Sequence, residues 1–275
     1  MSSAEFERNP GAVNPGAASA EPSASNLREY LEAIAAIEAR WRAESSTTES
    51  SVWFRGHQCG TWPLEPSLFR DPYRLDAPRW EAFFSSEFKG RAVAYLQGQQ
   101  PATPLQWFYL MRHHGVPTRL LDWTESSLVA LYFASCPTTA GDQDGCVWVL
   151  NESWLLAQAY PHAYGAILEL ILDGSSKEHV PAPVRPPYVT PRISAQRSCF
   201  TLHPANPGAF ARAQSRDGGS AALQKISIPA SAKGNVIKDL RRAGITESVL
   251  FPDLEGLARE LATSELCDPR NHIWT

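Results

Sequence analysis

The sequence predicts an α+β fold, with a mixed or antiparallel β-sheet core and helices near the N-terminus, in a chain of 275 residues. Amphipathic helical stripes and short β-branched or aromatic segments both occur. They do not alternate in the regular strand–helix order of a doubly wound sheet. Apolar residues make up 43% of the chain and charged residues 20%, which is typical of globular proteins. The chain therefore carries enough apolar material to build a core.

Helices are predicted where apolar residues recur at helical spacing between capping signals. Asn26 and Glu29 have the spacing of a capping box, and Pro78 suits the first turn of a later helix. Gly115 marks the end of a third helix, which begins at Leu105. The predicted helices cover residues 27–42, 78–95, 105–114, a segment capped by Thr124 or Ser126 that runs through Ser135, 235–242 and 254–261.

Strands are predicted where β-branched and aromatic residues form short apolar runs. These runs are residues 51–55, 145–150, 166–172, 223–228 and 245–251. Proline and glycine predict irregular loops at residues 57–77 and 179–192, and a further loop is expected at 116–123.

The two ends of the chain differ in composition. Residues 1–25 are mostly Ala, Ser, Pro and Gly, which predicts a disordered tail, because so few apolar side chains cannot offset the entropy of ordering. Residues 26–275 are predicted to form a single domain with its core at about 50–260. No stretch of 18 apolar residues and no secretion signal occurs, so we expect no membrane partner and a cytoplasmic location.

Cysteine count and net charge exclude further classes. Five cysteines at wide spacings, without a CxxC pair, argue against a disulfide framework and against a zinc site, so no metal is expected. Free thiols fit a reducing cytosol. The net charge of −4 disfavours nucleic acid as the main partner, although a local basic cleft would still allow it.

Two segments concentrate residues suited to chemistry. In Phe54-Arg55-Gly56-His57, an arginine at a strand end suits bidentate contact with a phosphate or carboxylate, although it would equally suit a buried ion pair. Residues 112–124 hold two His, two Arg, Asp122, Trp123 and Thr124 around one helix-to-loop transition. Capping of the next helix explains Asp122 or Thr124, but it does not explain the whole density of polar groups.

Two later segments carry weaker signals. Residues 244–252 place Glu247 near the start of an apolar run, where a solvated strand-edge glutamate is the simpler interpretation. Residues 191–201 are polar, and their Gln and Arg have no evident structural duty.

Together these segments resemble the FRG domain family, which is named for the triplet Phe54-Arg55-Gly56. The run HHGVPTRLLDWTESSLVALYFA at 113–134 is similar to the most distinctive stretch of the family. The segments RISAQRSCFTL at 192–202 and ESVLFPDLEGLA at 247–258 are similar to its later part. The family usually has Gln where this chain has Arg112, which adds a cation at that position.

The motif order is also similar to that of ADP-ribosyltransferases. Arg55-Gly56 resembles the early strand end that holds NAD, and residues 122–134 resemble the strand and following helix of that family. Residues 247–252 resemble its Glu and Val-Leu-Phe-Pro strand. Glu247 stands one position earlier than usual, which would turn it to the opposite strand face unless a bulge restores it.

This second resemblance implies a split β-sheet and an enzyme that cleaves NAD and modifies a macromolecular acceptor of unknown type. The implied catalytic residues are Glu247, His114 and Asp122, and the implied NAD-binding residues are Arg55, Gly56, His57, Arg119, Trp123, Thr124 and Ser126. A carboxylate would stabilise the positive charge that develops on the ribose, and an arginine would hold the pyrophosphate. A role as a bacterial toxin or defence effector fits such an enzyme, although no residue specifies it.

Two alternatives remain open from the sequence. In a nuclease or other phosphate-transfer enzyme, His57, His113 or His114 would serve as general acid and base, and Arg55 and Arg119 would stabilise the developing charge. In a non-catalytic module, the same cleft would recognise a nucleotide or a peptide without turnover.

Overall fold

A six-stranded antiparallel sheet forms the centre of the computed structural model, in the order β4-β5-β2-β1-β3-β6. The strands are β1 (Val52–His57), β2 (Leu120–Thr124), β3 (Gly145–Asn151), β4 (Ala182–Val184), β5 (Ser198–Leu202) and β6 (Leu223–Ile228). The structure describes residues 21–44, 51–96, 100–136, 143–160, 168–169, 171–172, 180–187 and 190–263. The sheet and its helices confirm the predicted α+β class.

Helices pack against both faces of this sheet. They are α1 (Leu27–Glu44), α2 (Ala77–Ala92), α3 (Pro104–His113), α4 (Ser127–Ser135), α5 (Glu152–Ala159), α6 (Pro191–Ala195), α7 (Ala209–Gln214), α8 (Gly219–Ala222), α9 (Lys233–Arg242), α10 (Glu247–Leu250) and α11 (Leu254–Thr263). None of the helices in the described part of the chain has the length and apolar character needed to cross a membrane.

Neighbouring residues of β1 serve two separate cores because successive strand side chains point to opposite faces. Trp53 belongs to a core with Leu120, Leu150 and other buried residues on one face. Phe54 belongs to a core on the other face, where α1, α4 and α9 pack against the sheet. Both faces of β1 are therefore covered, which explains why its first three residues, Val52-Trp53-Phe54, are all apolar.

The sheet is nearly parted between β1 and β2. β1 pairs with β3 over its whole length, from Val52 opposite Asn151 to His57 opposite Cys146. With β2 it is in register only at Phe54 opposite Thr124. Beyond this pair, the later residues of β1 and the earlier residues of β2 are not paired with each other. Residues of both strands line the gap between them.

Several segments differ from the sequence-based expectation. The predicted loop at 116–123 contains β2, because Leu120, Leu121 and Trp123 are buried and the strand pairs with β5 from Leu120 opposite Leu202. The predicted strand at 245–251 contains the short helix α10 instead. Residues 168, 169, 171 and 172 have helical backbone rather than the predicted strand, and 166, 167 and 170 lie outside the described residues.

The predicted loop at 179–192 also contains regular structure. Strand β4 includes Pro183, which is tolerated because β4 is an edge strand and needs no backbone N–H on its outer side. Helix α6 begins at Pro191, a residue that suits the first helical position. The prolines of this segment predicted an irregular loop, but Pro183 and Pro191 occupy an edge strand and the first position of a helix, where proline is tolerated.

Part of the segment predicted as a disordered tail, residues 1–25, is ordered. Residues 1–20 lie outside the described residues, but Ser23 forms a parallel bridge with Ser227 of β6. The Ala24 N–H donates to the Ser227 carbonyl at 2.9 Å, and the Ser227 N–H donates to the Pro22 carbonyl at 2.8 Å. β6 is an edge strand with free backbone groups, and pairing with them needs no apolar side chain. A composition argument could not detect this contact.

Gly56 is required by packing between β1 and α4. A Cβ atom built on Gly56 would lie 2.0 Å from the carbonyl oxygen of Ala130 and 2.6 Å from the backbone nitrogen of Ala134. Backbone cannot retreat as a flexible side chain can, so α4 would have to move away from the sheet.

We expect Gly56→Ala to lower the free energy of unfolding by about 2–3 kcal/mol because of this overlap. Gly234→Ala is the matched control, since a Cβ there meets no atom within 4 Å, and it should leave stability unchanged or slightly raised. Urea unfolding of the three proteins measures the difference. Equal stability of Gly56→Ala and wild type would contradict the packing explanation.

Candidate functional site

The gap between β1 and β2 opens into a cleft lined by four arginines. A cavity of about 280 Å³ is lined by Arg55, Arg70, Arg112 and Arg192, with Asp122 as its one carboxylate among the described residues. An adjoining cavity of about 440 Å³ shares Arg112, Asp122 and Arg192, and adds His113 and His114. We call these two cavities together the arginine cleft.

Asp122 holds two of the arginines in place. Arg112 donates from Nε to both carboxylate oxygens of Asp122 at 3.0 Å, and its Nη2 lies 2.5 Å from Oδ2. Arg55 donates from Nη1 to the backbone carbonyl of Asp122 at 2.6 Å, and the same nitrogen lies 3.7 Å from Oδ2. Burial alone would raise the pKa of Asp122, but the charges of Arg112 and Arg55 hold it below its usual range. Asp122 is therefore ionised and serves both guanidinium groups.

His57 is neutral at physiological pH. It is buried, with 2% of its surface exposed, and its Nε2 accepts a hydrogen bond from Nε of Arg55 at 2.9 Å. Burial, followed by the charges of Arg55 and Arg70, lowers the pKa of His57 to about 3. A general acid or base needs a pKa near the working pH, so His57 orients Arg55 rather than moving protons.

Arg70 and Arg192 are exposed and less restrained than the other two arginines. Arg70 donates from Nε and Nη2 to the carbonyl of Glu65 at 3.0 and 2.6 Å. Arg192 lies over the ring of Phe251, with its Cζ atom 4.7 Å from the ring centre. Neither guanidinium forms an ion pair within the part of the chain that the structure describes. These two side chains are the ones best placed to contact an anion that enters the cleft.

Sequence reasoning missed Arg70 and left Arg192 without a role. Arg70 lies in the proline-rich segment after β1, where composition indicates only a loop. Arg192 was in a polar segment without evident structural duty, and Pro191 before it marks the helix start that points to its position. Gln196, from the same segment, also lines the cleft and donates to the carbonyl of Leu250 at 3.1 Å.

The structure brings most of the predicted site residues to the arginine cleft. Gly56, His57, Trp123 and Thr124 line it together with Arg55 and Asp122, and His114 lines its second cavity. Trp123 is mostly buried and donates from Nε1 to Oγ1 of Thr201 at 3.0 Å. Thr124 donates from Oγ1 to the carbonyl of Gln196 at 2.7 Å, which ties β2 to α6.

Ser126 and Arg119 have structural roles outside the cleft. Ser126 caps α4, because its hydroxyl accepts from the Val129 N–H at 3.4 Å. Arg119 is buried, donates from Nε to Oε1 of Glu81 at 2.7 Å and donates to the carbonyl of Ile171 at 2.6 Å. The structure thus places Arg119, a predicted NAD-binding residue, outside both cavities of the cleft.

Glu247 does not line either cavity of the arginine cleft. It lies in the first turn of α10, accepts a hydrogen bond from the hydroxyl of Tyr132 and accepts from Nε of Arg259 at 2.7 Å. No strand exists there, so the expected one-residue offset on a strand has no meaning. Glu247 therefore lies outside the cleft, whereas the sequence predicts it as the carboxylate at the ribose.

The segment that contains Glu247 still reaches the cleft through Phe251. Arg259, the partner of Glu247, has its Cζ atom 5.0 Å from the centre of the Phe251 ring. Arg192, which lines the cleft, lies over the same ring. Glu247 therefore belongs to the support of a cleft arginine and not to the cleft itself.

No metal site is visible in the described residues, because no three His, Cys, Asp or Glu side chains come together in a way that could hold an ion. The four cysteines that the structure describes are free thiols.

Comparison with known proteins found one family model that matches part of the chain. The family model described as FRG domain matches residues 50–143, which include Arg55, Arg70, Arg112 and Asp122. Arg192 and Gln196 lie beyond the matched segment. Searches of curated proteins and of solved structures found no match.

Two buried histidines predict how stability depends on pH. Burial, followed by nearby arginine charges, lowers the pKa values of His57 and His203 to about 3. Unfolded histidine titrates near 6.5, so between these values the unfolded chain binds more protons than the folded chain. We expect the free energy of unfolding to fall as pH falls below about 6.5, by up to about 1.4 kcal/mol per pH unit for each histidine.

Urea unfolding at about pH 7 and about pH 5 measures this slope. His57→Gln should remove about half of it, because His203 continues to titrate. A slope that is unchanged in His57→Gln would contradict the assignment of His57 as a neutral buried group.

Proposed function

We propose that the arginine cleft binds NAD through its diphosphate and transfers ADP-ribose to a macromolecular acceptor, and the premise is the match of residues 50–143 to the family model described as FRG domain. The observation that carries the proposal is the charge of the cleft, where four guanidinium groups meet one carboxylate. Such an excess of positive charge in a partly buried space favours a ligand with two phosphate groups.

The four arginines divide the work of binding. Arg55 and Arg112 are fixed by Asp122, which pre-organises their planar groups at the base of the cleft. Arg70 and Arg192 are exposed and can turn towards phosphate oxygens, with which guanidinium groups form two parallel hydrogen bonds. A diphosphate held among the four arginines would replace the missing counter-charge.

An aromatic wall lies beside the anion site. Trp62 is 41% exposed, lines the cleft, and has its ring centre 6.1 Å from that of His57. A partly exposed indole ring offers a flat surface for stacking of a base or of nicotinamide. Phosphate recognition and ring stacking together favour a nucleotide over a simple inorganic anion.

The transfer step would proceed with few protein groups. The bond between nicotinamide and ribose breaks, and nicotinamide leaves with the bonding electrons. The acceptor then forms a bond to the ribose carbon and loses a proton. Positive charge on the ribose is stabilised by a nearby anion. Asp122 is the one carboxylate that lines the cleft among the described residues, so it takes the role first expected of Glu247.

A non-catalytic binding site is the second candidate. Asp122 is already engaged by Arg112 through both carboxylate oxygens, which weakens the charge it can offer to a ribose. The phosphate-transfer alternative is less favoured, because His57 is neutral and would have to be replaced in its role by His113 or His114.

Calorimetry with ADP-ribose tests the anion site. We expect binding that weakens as salt concentration rises, and a loss of roughly tenfold or more in affinity for Arg192→Gln and for Arg70→Gln, because each removes a charge-assisted contact. Arg28→Gln is the matched control, since Arg28 is an exposed arginine in α1 that pairs with Glu32. An unchanged affinity in both cleft variants would contradict the site.

Incubation with labelled NAD and a cell extract tests the reaction. We expect nicotinamide release and transfer of label by the wild type, a loss of at least about tenfold in Asp122→Asn, and retained activity in Glu247→Gln once its stability is confirmed. Tight ADP-ribose binding without any product after long incubation would instead support the non-catalytic candidate. Absence of both binding and product would overturn the proposal.

A further inference from the structure

A further cavity, separate from the two that form the arginine cleft, lies next to it. It measures about 690 Å³ and is enclosed by α2, the short 3₁₀ helix Val93–Tyr95 and α3. Its lining is aromatic and aliphatic, with Phe83, Phe84, Phe88, Tyr95, Leu110 and Val116 as the main residues. We call this cavity the apolar pocket. Its volume is in the range of ligand-binding sites in proteins.

Ring contacts hold one wall of the apolar pocket in place. Phe84 stacks on Trp80 at 5.6 Å between ring centres and meets the edge of Tyr73 at 5.3 Å. Tyr73 and Phe84 also pack against a small buried core formed by Leu68, Phe69 and Ala77. The wall is therefore formed before any ligand arrives, which lowers the entropy lost on binding.

The apolar pocket carries no unbalanced charge. Glu87 and Arg91 line it, and they form an ion pair one helical turn apart on α2. The arginine cleft has an excess of cations, whereas this pocket offers no free cation to a phosphate. A nucleic-acid backbone gains most of its affinity from such cations, so it is a poor occupant.

His114 connects the apolar pocket to the arginine cleft. It lines the apolar pocket and the second cavity of the cleft, which also contains Arg112 and Asp122. Its ring centre lies 6.4 Å from that of Phe88 and 5.0 Å from that of His113. A group bound in the apolar pocket thus ends at the wall of the space where the phosphates are expected.

We propose that the apolar pocket binds aromatic or aliphatic side chains of a protein acceptor, and thereby places the acceptor's nucleophile at the arginine cleft. This inference rests on the proposed function and adds the class of the acceptor. A protein segment with apolar side chains fits the largely aromatic and aliphatic lining, in which the two charged residues pair with each other. The shared wall at His114 explains how such a segment reaches the reacting sugar.

Two substitutions with the same chemistry separate the apolar pocket from the rest of the surface. Phe83→Glu places a charge in the pocket at a residue that is 52% exposed, so the fold should tolerate it. Leu75→Glu is the matched control, because Leu75 is 97% exposed and does not line the pocket. Ala92→Phe, which adds bulk to the pocket lining, is a second and independent variant.

The first measurement uses the fluorescent probe 1-anilinonaphthalene-8-sulfonate with the full chain. We expect saturable binding at one site in the wild type and in Leu75→Glu, and at least about tenfold weaker binding in Phe83→Glu and Ala92→Phe. Wild type that does not bind the probe, or binding that is equal in all four proteins, would overturn the apolar pocket as a ligand site.

The second measurement follows labelled ADP-ribose into the protein and nucleic-acid fractions of a cell extract. We expect label in protein, reduced at least about tenfold in Phe83→Glu and Ala92→Phe but not in Leu75→Glu, with unchanged affinity for ADP-ribose in all variants. Label in nucleic acid, or undiminished protein label in both pocket variants, would overturn the acceptor assignment. Loss of ADP-ribose binding, or the absence of any transfer by the wild type, would instead show that the proposed function has failed.

Discussion

The contact between Arg55 and Asp122 bridges the gap in the sheet and creates the site. β1 and β2 are in register at a single position, Phe54 opposite Thr124, and beyond it they are joined by the Arg55 side chain, which donates to the carbonyl of Asp122 at 2.6 Å. A side-chain bond in place of a backbone ladder keeps the two halves of the sheet together and leaves space between them. Burial lowers the pKa of Arg55 to about 10 although the charge of Asp122 acts in the opposite direction, so Arg55 stays charged at physiological pH.

One carboxylate in the cleft supports more positive charge than it can neutralise. Asp122 satisfies Arg112 directly and Arg55 in part, while Arg70 and Arg192 approach the same space from a loop and from α6. Like charges brought together in this way raise the free energy of the empty protein and are offset when an anion binds. The same geometry limits chemistry, because a carboxylate that orients two arginines is less available to a substrate. Whether Asp122 can still stabilise a charged ribose is what distinguishes the transferase proposal from simple binding.

The segment from Glu247 to Phe251 shows how a motif can be near a site without entering it. Glu247 is turned towards Tyr132 and Arg259, and Phe251 carries the guanidinium of Arg192 at 4.7 Å. A glutamate that secures an arginine and a ring that supports another arginine act on the cleft through packing. The motif is thus next to the cleft without lining it, while Arg55, Asp122 and Arg112 of the cleft come from β1, β2 and α3.

Local patterns in the sequence determined much of this protein. The helical stripes gave α1 to α4 with boundaries close to those observed, and Ser126, Asn26 and Pro191 occupy the cap or first-turn positions that their chemistry favours. The sequence also predicts two segments with residues suited to chemistry, which are Phe54-Arg55-Gly56-His57 and residues 112–124. Residues of both segments line the cleft.

Only the tertiary structure decided which of these residues meet. The sequence predicts a loop at 116–123, where the structure has β2. The strand character of β2 depends on pairing with β5, which comes from a distant part of the chain. Arg119 and Asp122 are neighbours in sequence, but one is enclosed by Glu81 and backbone carbonyls and the other faces the cleft. Long-range packing likewise brings Arg70 and Arg192 to the cleft and keeps Glu247 outside it. Spacing along a chain fixes the face on which a side chain lies, whereas its partners are set by segments far away in sequence that the fold brings against it.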